Sequence, residues 1–530
     1  MSNFYNMPKL PTENSPKVEI FVDDKAVMVP GDTNLLEALK AVGIETPHVC
    51  YHPYLPVSGN CRQCLVEQEG PRGRMLVISC YTPVTPGMKI YTPASSARVK
   101  NARKATQEFM LVNHPLDCPI CDKAGECTLQ ENYMEAGQNE SRMRPEYGKN
   151  YHGNPEHQFI DAKGQVRGGK HVDIGPRILL DEERCVQCDR CVRFMRSIAK
   201  DEQLQLAGRA DHTYITTFPG EKLDHEYDLC VTDVCPTGAM TAKYFRFQKR
   251  VWLLSHTPTI SMDDSLGANI WLDHADGRIY RVMPRCNPEV NRSWLSNTSR
   301  LAFQGFNKNR LPSMNISNYT FGNGKIALVA GGSCTIEDLA ALRVLKESLG
   351  DRAELFGGSL LKVGNPDGIA KSGDPVANRA GMKLLGFADV ADFVKRIGEF
   401  ETLLTLNADL YGEDPSVEKT LDKLNCRIAL SAFDDATAKK ATLALGVKHW
   451  SEVQGSMVNC LNILQKLNPC PVCPDENIPA AYEVVSALAG QKFESAAAAF
   501  KKAGEFAPVL AGLTYDAIKS TGKLLEGGNA

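Results

Sequence analysis

No apolar run in these 530 residues is long enough to cross a bilayer, which takes about 20 residues in a helix. Charged residues interrupt every stretch, so a membrane role would have to come through other chains. The N-terminal MSNFYNMPKLPTENSPK is polar and contains prolines. It has neither the apolar core of an export signal nor the arginine-rich amphipathic pattern of an organelle-targeting segment, and a cytosolic setting is expected. Positive charge is not in excess: 60 Lys and Arg stand against 63 Asp and Glu, a formal net charge of −3. Without a basic stripe, nucleic acid is not expected as the main partner. The dinucleotide fingerprint G-x-G-x-x-G is also absent; Gly331-Gly332 reads as a tight strand-to-helix turn. No short repeat of the solenoid kind is present.

Cysteine is plentiful and unevenly placed. Of 18 cysteines, 12 lie between Cys50 and Cys235. Without an export signal, such density points to thiolate ligands rather than a disulfide framework. The other six, from Cys286 onward, are scattered. Cys470-x2-Cys473 is their one close pair, and two ligands do not make a site, so it reads as structural.

The fold class expected is multidomain, α+β followed by α/β. Residues 17–29, KVEIFVDDKAVMV, read as a hairpin around Asp23-Asp24-Lys25. Pro30 to Thr33 break the strand and supply a helix N-cap; Leu35, Leu36, Leu39 and Val42 follow at helical spacing. CLVEQ and MLVISC read as two more strands. That order suggests a small β-grasp ferredoxin domain over residues 1–95. Helices are expected over 96–112 and in CTLQENYMEAG, within a domain of residues 96–137. Residues 138–250 form a third domain, with a long loop from Ser141 to Lys170 and a short strand in GPRILLD. From Val251 a small β-rich module precedes an α/β region. Strands are expected at Ile326–Ala330, Thr402–Leu406 and Arg427–Ser431. Thr335-x-x-Asp338 caps a helix running to about Leu349, and the last fifty residues look helical.

Three ligand groups stand out. Cys50-x10-Cys61-x2-Cys64 with Cys80 suits a [2Fe–2S] cluster, where each iron needs two thiolates. The alternative is a four-cysteine zinc site, which the unequal gaps and the β-grasp setting disfavour. Cys185-x2-Cys188-x2-Cys191 with the remote Cys235-Pro236 is the bacterial ferredoxin pattern for a [4Fe–4S] cluster. Cys230 competes with Cys235 as fourth ligand. Cys235 is preferred, because the residue before proline favours extended backbone, and Gly238 allows a close approach. Between these groups lies HPLDCPICDKAGEC. Taken alone, His114, Cys118, Cys121 and Cys127 also fit structural zinc. Between two iron–sulfur motifs they read as a second [4Fe–4S] site with one imidazole ligand. His48, His52, His152 and His157 lack ligand spacing and read as surface or packing residues. Arg184, Arg190, Arg193 and Arg196 read either as balancing cluster charge or as a solvated helix face.

This succession of domains, continued through NIWLDHADGRIYRVMPRCNPEVNRSW into a truncated molybdopterin-oxidoreductase-like region (251–530), resembles the large iron–sulfur subunit of NADH:quinone oxidoreductase, respiratory complex I. The resemblance implies one [2Fe–2S] and two [4Fe–4S] clusters on the twelve ligands named above. It implies neither flavin nor molybdenum on this chain, and electron transfer rather than a substrate site. The partners implied are a flavin- and NADH-binding subunit, a small [4Fe–4S] ferredoxin-like subunit and quinone-site subunits. The place implied is peripheral, on the cytoplasmic face of a bacterial inner membrane. Some members carry a further cysteine motif for a fourth cluster; here the corresponding VWLLSHTPTISMDDSLGANI has no cysteine. Two rivals remain: the same module in a soluble NAD-linked hydrogenase or formate dehydrogenase, and a non-redox zinc scaffold.

Overall fold

The computed structural model describes residues 7–112, 114–137, 159–160, 166–167, 170–209, 213–313, 319–473, 475 and 477–525. The chain folds as two compact units, 1–253 and 254–530. The first opens with the hairpin of β1 (Lys17–Val22) and β2 (Lys25–Pro30). Its turn places Asp23 and Asp24 at φ 51° and 63°, the left-handed pair of a type I′ turn, which matches the natural strand twist. Helix α1 (Leu35–Lys40) follows, then β3 (Leu65–Gly70), β4 (Gly73–Ile78) and β5 (Lys89–Tyr91). The sheet order is β2-β1-β5-β3-β4, with β1 and β5 parallel. Ile20, Val29, Leu35, Leu39, Val66 and Ile90 bury α1 against this sheet. The cap of α1 is Asn34, whose side chain accepts from Glu37 N, one position later than expected. The Thr33 hydroxyl donates instead to Pro30 O.

Two helices flank the second ligand group. Helix α2 (Ala97–Leu111) starts at Ser96, whose hydroxyl accepts from Val99 N and donates to Glu67 of β3. Helix α3 (Thr128–Ala136) ends at Gly137, held at φ 58°. A sheet ordered (240–242)-(178–180)-(172–173) then brings two distant segments together. Asp181 N donates to Ala239 O, and the Thr237 hydroxyl to Arg184 O. Short helices α4 (Arg190–Phe194) and α5 (Cys230–Val234) carry the remaining cysteines. Of the expected loop Ser141–Lys170, a two-residue strand pair, Phe159–Ile160 with Val166–Arg167, is described. The rest up to residue 169, with His152 and His157, lies outside the described residues.

In the second unit, strands 255–260, 269–275 and 278–284 form an antiparallel sheet. A six-stranded parallel sheet follows, its central strand Ile326–Gly331 buried along its whole length. Numbered along the chain, its strands run 3-2-1-4-5-6, the doubly wound order that reverses direction at strand 1. The helix after that central strand, Ile336–Leu349, begins with the expected capping box of Thr335 and Asp338. Open sheets of this order bind ligands where the direction reverses. Here the chain's own backbone packs onto Gly331-Gly332. A Cβ on Gly331 would fall 1.7 Å from Asn407 O, and one on Gly332 3.1 Å from Pro375 O. Asn378 N donates to Gly332 O, and Asn378 Nδ2 to Cys334 O. The expected strand-to-helix turn is present, with Cys334 N donating to Gly331 O, and the two glycines also allow this close approach. The C-terminal region is helical only over 481–488 and 496–506; beyond that it continues as short turns and a two-residue strand.

Candidate metal centres

The first group is held by the β-grasp fold. Cys50, Cys64 and Cys80 are buried and Cys61 half-buried. The thiols pair by hydrogen bonding, Cys50 with Cys61 and Cys64 with Cys80. Within each pair the shared hydrogen bond drives one thiol up and the other down. Cys50 and Cys80 rise well above the ordinary range, whereas Cys61 falls to about 5 and Cys64 is also lowered. The geometry thus sorts four ligands into two pairs, the division a binuclear cluster needs.

The third group surrounds a cavity. Cys185, Cys188, Cys191 and Cys235 line it together with Val186, Ile215, Ala239 and Met240. Burial pushes Cys188 up to about 12, and Cys185 and Cys191 higher still. Cys185, Cys188 and Cys191, kept neutral by burial around an apolar cavity, would give up their protons to a cationic core. Cys235 follows α5 in extended backbone (φ −68°, ψ 120°). Cys230, the first residue of α5, is fully buried and absent from the cavity wall.

The second group sits on the loop between α2 and α3. His114 Nδ1 is buried with no hydrogen-bond partner. Burial first, then the Arg184 cation, lowers the imidazole to about 4, so His114 is neutral with a lone pair available to a metal. Burial raises Cys127 to about 11 and raises Cys121 as well; Cys118 is exposed. A Cβ on Gly238 would lie 2.2 Å from Cys121 Sγ. Gly238 therefore makes room for the second group, not for the third group that it follows in sequence. Among the described residues, no three His, Cys, Asp or Glu side chains close on a single metal ion.

Within the first unit the third group has contacts with each of the other two. Val49, Cys50 and Cys188 share one buried cluster, with Cys61, Met110 and Val186 against it. On the other side, Cys127 Sγ lies 3.4 Å from Pro236 O, and Thr128 N donates to the same carbonyl. The arginines, weakly specified by sequence, divide among these contacts. Arg184, Arg190 and Arg193 are only 4%, 7% and 3% exposed, whereas Arg196 is exposed and pairs with Glu202. Arg184 precedes Cys185 but pairs with Asp117 of the second group's loop and with Asp181. Arg193 pairs with Asp189 at 2.7 Å and donates to Pro56 O and to the carbonyls of Cys50 and Cys188. Ser58 donates to the same Asp189. Arg190 donates to Tyr51 O and Val234 O. His52, lowered to about 3 by burial and these arginines, is a packing residue. In the second unit Cys470 is buried beside Val472 and Trp450, and Cys473 donates to Asp475 O.

Four family models match, and three of them each enclose one ligand group. "2Fe-2S iron-sulfur cluster binding domain" matches residues 15–95, and "NADH-ubiquinone oxidoreductase-G iron-sulfur binding region" matches 103–142. "NADH-quinone oxidoreductase subunit 3, ferredoxin-like domain" matches 175–241. The fourth, "NADH-ubiquinone oxidoreductase NDSU1/NuoG-like, 4Fe-4S domain", matches 254–304, where Cys286 is the single cysteine. Among curated relatives, the mitochondrial NADH-ubiquinone oxidoreductase 78 kDa subunit of Candida albicans is 34% identical over 63% of this chain and 46% of its own length. The NADH-ubiquinone oxidoreductase 75 kDa subunit of Reclinomonas americana is 39% identical over 56% of this chain and 39% of its length. A bacterial relative, an NADH-quinone oxidoreductase subunit of Rickettsia felis, is 34% identical over 63% of this chain and 49% of its length. The chain thus matches less than half the length of each. Among solved structures, a chain of an NAD+-reducing [NiFe]-hydrogenase is 27% identical, covering 44% of this chain and 91% of that one, at a TM-score of 0.36.

Proposed function

We propose that this chain, homologous over its cysteine-rich half to iron–sulfur subunits of NADH-quinone oxidoreductases, is an electron-transfer subunit of such a complex. It would pass electrons from a flavin- and NADH-binding subunit toward quinone. The observation that carries the reading is the contiguity of three ligand groups in one folded unit: first beside third through Cys50 and Cys188, third beside second through Pro236 and Cys127. When bound, iron–sulfur clusters supply one-electron carriers. The chain's own work is placement, burial and charge. Cys50 with Cys61, and Cys64 with Cys80, would each hold one iron of the binuclear centre. His114, Cys118, Cys121 and Cys127 would hold one tetranuclear centre, and Cys185, Cys188, Cys191 and Cys235 the other. The adjacency supports an order first, third, second. No described helix is long and apolar enough to cross a membrane, so attachment would come through partner subunits. The backbone packed onto Gly331-Gly332 supports a second unit that is scaffold rather than pterin site.

Elemental analysis of the anaerobically handled chain is expected to give about 10 irons, about 2 in the binuclear and about 4 in each tetranuclear centre, without molybdenum or zinc. Low-temperature EPR of the reduced protein should show one binuclear and two tetranuclear species. Zinc in place of one tetranuclear centre in a fully loaded chain would remove the His114 assignment. Zinc throughout would leave a scaffold. Stoichiometric molybdenum would overturn the reading of the second unit.

A further inference from the structure

Arg190 differs from its buried neighbours in one respect. Arg184 is answered by Asp117 and Asp181, and Arg193 by Asp189. Arg190 forms no ion pair with a carboxylate among the described residues; its chain neighbour Asp189 is engaged by Arg193 and Ser58. It donates to the carbonyls of Tyr51 and Val234, and its Nε has no partner. An arginine stays protonated inside a protein, and a buried cation without a counter-charge is strongly destabilising. Asp189 feels the Arg190 charge but is already paired with Arg193, so a buried Arg190 calls for further negative charge nearby. Cys188 and Cys191 flank it in the chain, and Cys50 and Cys188 share one buried cluster beside it. Its two carbonyl acceptors belong to the neighbours of Cys50 and Cys235. Arg190 thus stands between the first and third groups, tied to the backbone of both.

We infer that Arg190 is a positioning residue for electron transfer between the first and third clusters, its guanidinium serving as their shared counter-charge. This rests on the iron–sulfur reading of the two groups. Thiolate-ligated clusters become more negative on reduction, so a fixed cation beside them favours the reduced form. The second group lies beside Arg184 instead, which makes it an internal control.

The test is potentiometric EPR titration of the full chain, or of the complex that contains it, as wild type, Arg190→Gln and Arg190→Lys. In Arg190→Gln, the ratio of reduced to oxidised centre at fixed potential should fall about tenfold for the third group, which is about 59 mV for a one-electron couple. The shift should be smaller but in the same direction for the first group and absent for the His114 centre. Arg190→Lys keeps the charge and should titrate like wild type at all three. Full iron in Arg190→Gln with three unshifted midpoints overturns the inference. So does an equal shift in both variants, which would make Arg190 a brace rather than a charge. If Arg190→Gln does not assemble the third centre, Arg190→Lys decides: loaded with wild-type midpoints it supports the counter-charge, while loaded with shifted midpoints or not loaded it refutes it. Zinc in the wild-type protein would instead refute the iron–sulfur reading itself, a separate result.

Discussion

Cys235→Ser is expected to cost about 4 of about 10 irons and to remove one tetranuclear EPR signal, with NADH-to-quinone electron transfer falling with it. Cys230→Ser is expected to change neither iron content nor signal. The two thiols are five residues apart in DLCVTDVCPTGA, and either could be drawn toward Cys185, Cys188 and Cys191 from spacing alone. Helix α5 decides between them. Cys230 opens that helix with its side chain fully buried, and Cys235 leaves it in extended backbone. Pro236 favours that extended backbone by crowding the helical conformation of the residue before it. Asp181 N on Ala239 O and the Thr237 hydroxyl on Arg184 O hold the exit against the loop that begins at Cys185. Cys235 therefore reaches the cavity wall and Cys230 does not. The measurement is iron content and EPR for both serine variants. A lost signal in Cys230→Ser with Cys235→Ser intact would transfer the ligand role between them and leave the three-centre reading in place.

What could be read from sequence was local. The Thr335 capping box, the Asp23-Asp24 turn and helix α2 after Ser96 are all decided within a few residues, and each stands where it was expected. Side chains that cross between segments were not legible. Arg184 follows the chain into the third motif, yet its guanidinium serves the loop that carries His114. Arg190 and Arg193 read as well on a solvated helix as in a buried seam, because a five-residue helix has too little periodicity to show which face is covered. Charge in a cysteine-rich motif was the available signal; what it lacked was the segment around Tyr51 and Pro56, more than 130 residues away. The contacts among the three groups were hidden for the same reason. The third motif touches both others, because α4 packs against the first group's loop while Pro236 touches Cys127.

Gly238→Ala is expected to damage the second centre, although Gly238 belongs by sequence to the third motif. Its φ is not in the left-handed region, so alanine meets no backbone penalty, and the effect isolates space alone. The added methyl would sit 2.2 Å from Cys121 Sγ, with Lys123 Cβ at 3.4 Å and Arg184 Cδ at 3.6 Å. Contacts under 3 Å do not persist, so one of the two must move. The Gly238 side is pinned by the Ala239 and Thr237 hydrogen bonds. On the other side, Arg250 donates to Cys121 O, so the side chain of Cys121 is the part left to turn. A ligand sulfur displaced by that much cannot stay in a preformed set of four. The variant should therefore lose the EPR signal that Cys127→Ser loses, and about 4 irons with it, while the binuclear signal persists. The signal identified by Cys235→Ser should survive, since the Gly238 Cβ points away from that cavity toward Cys121. Loss of the Cys235-dependent signal with the Cys127-dependent one retained would show that Gly238 protects the third centre after all.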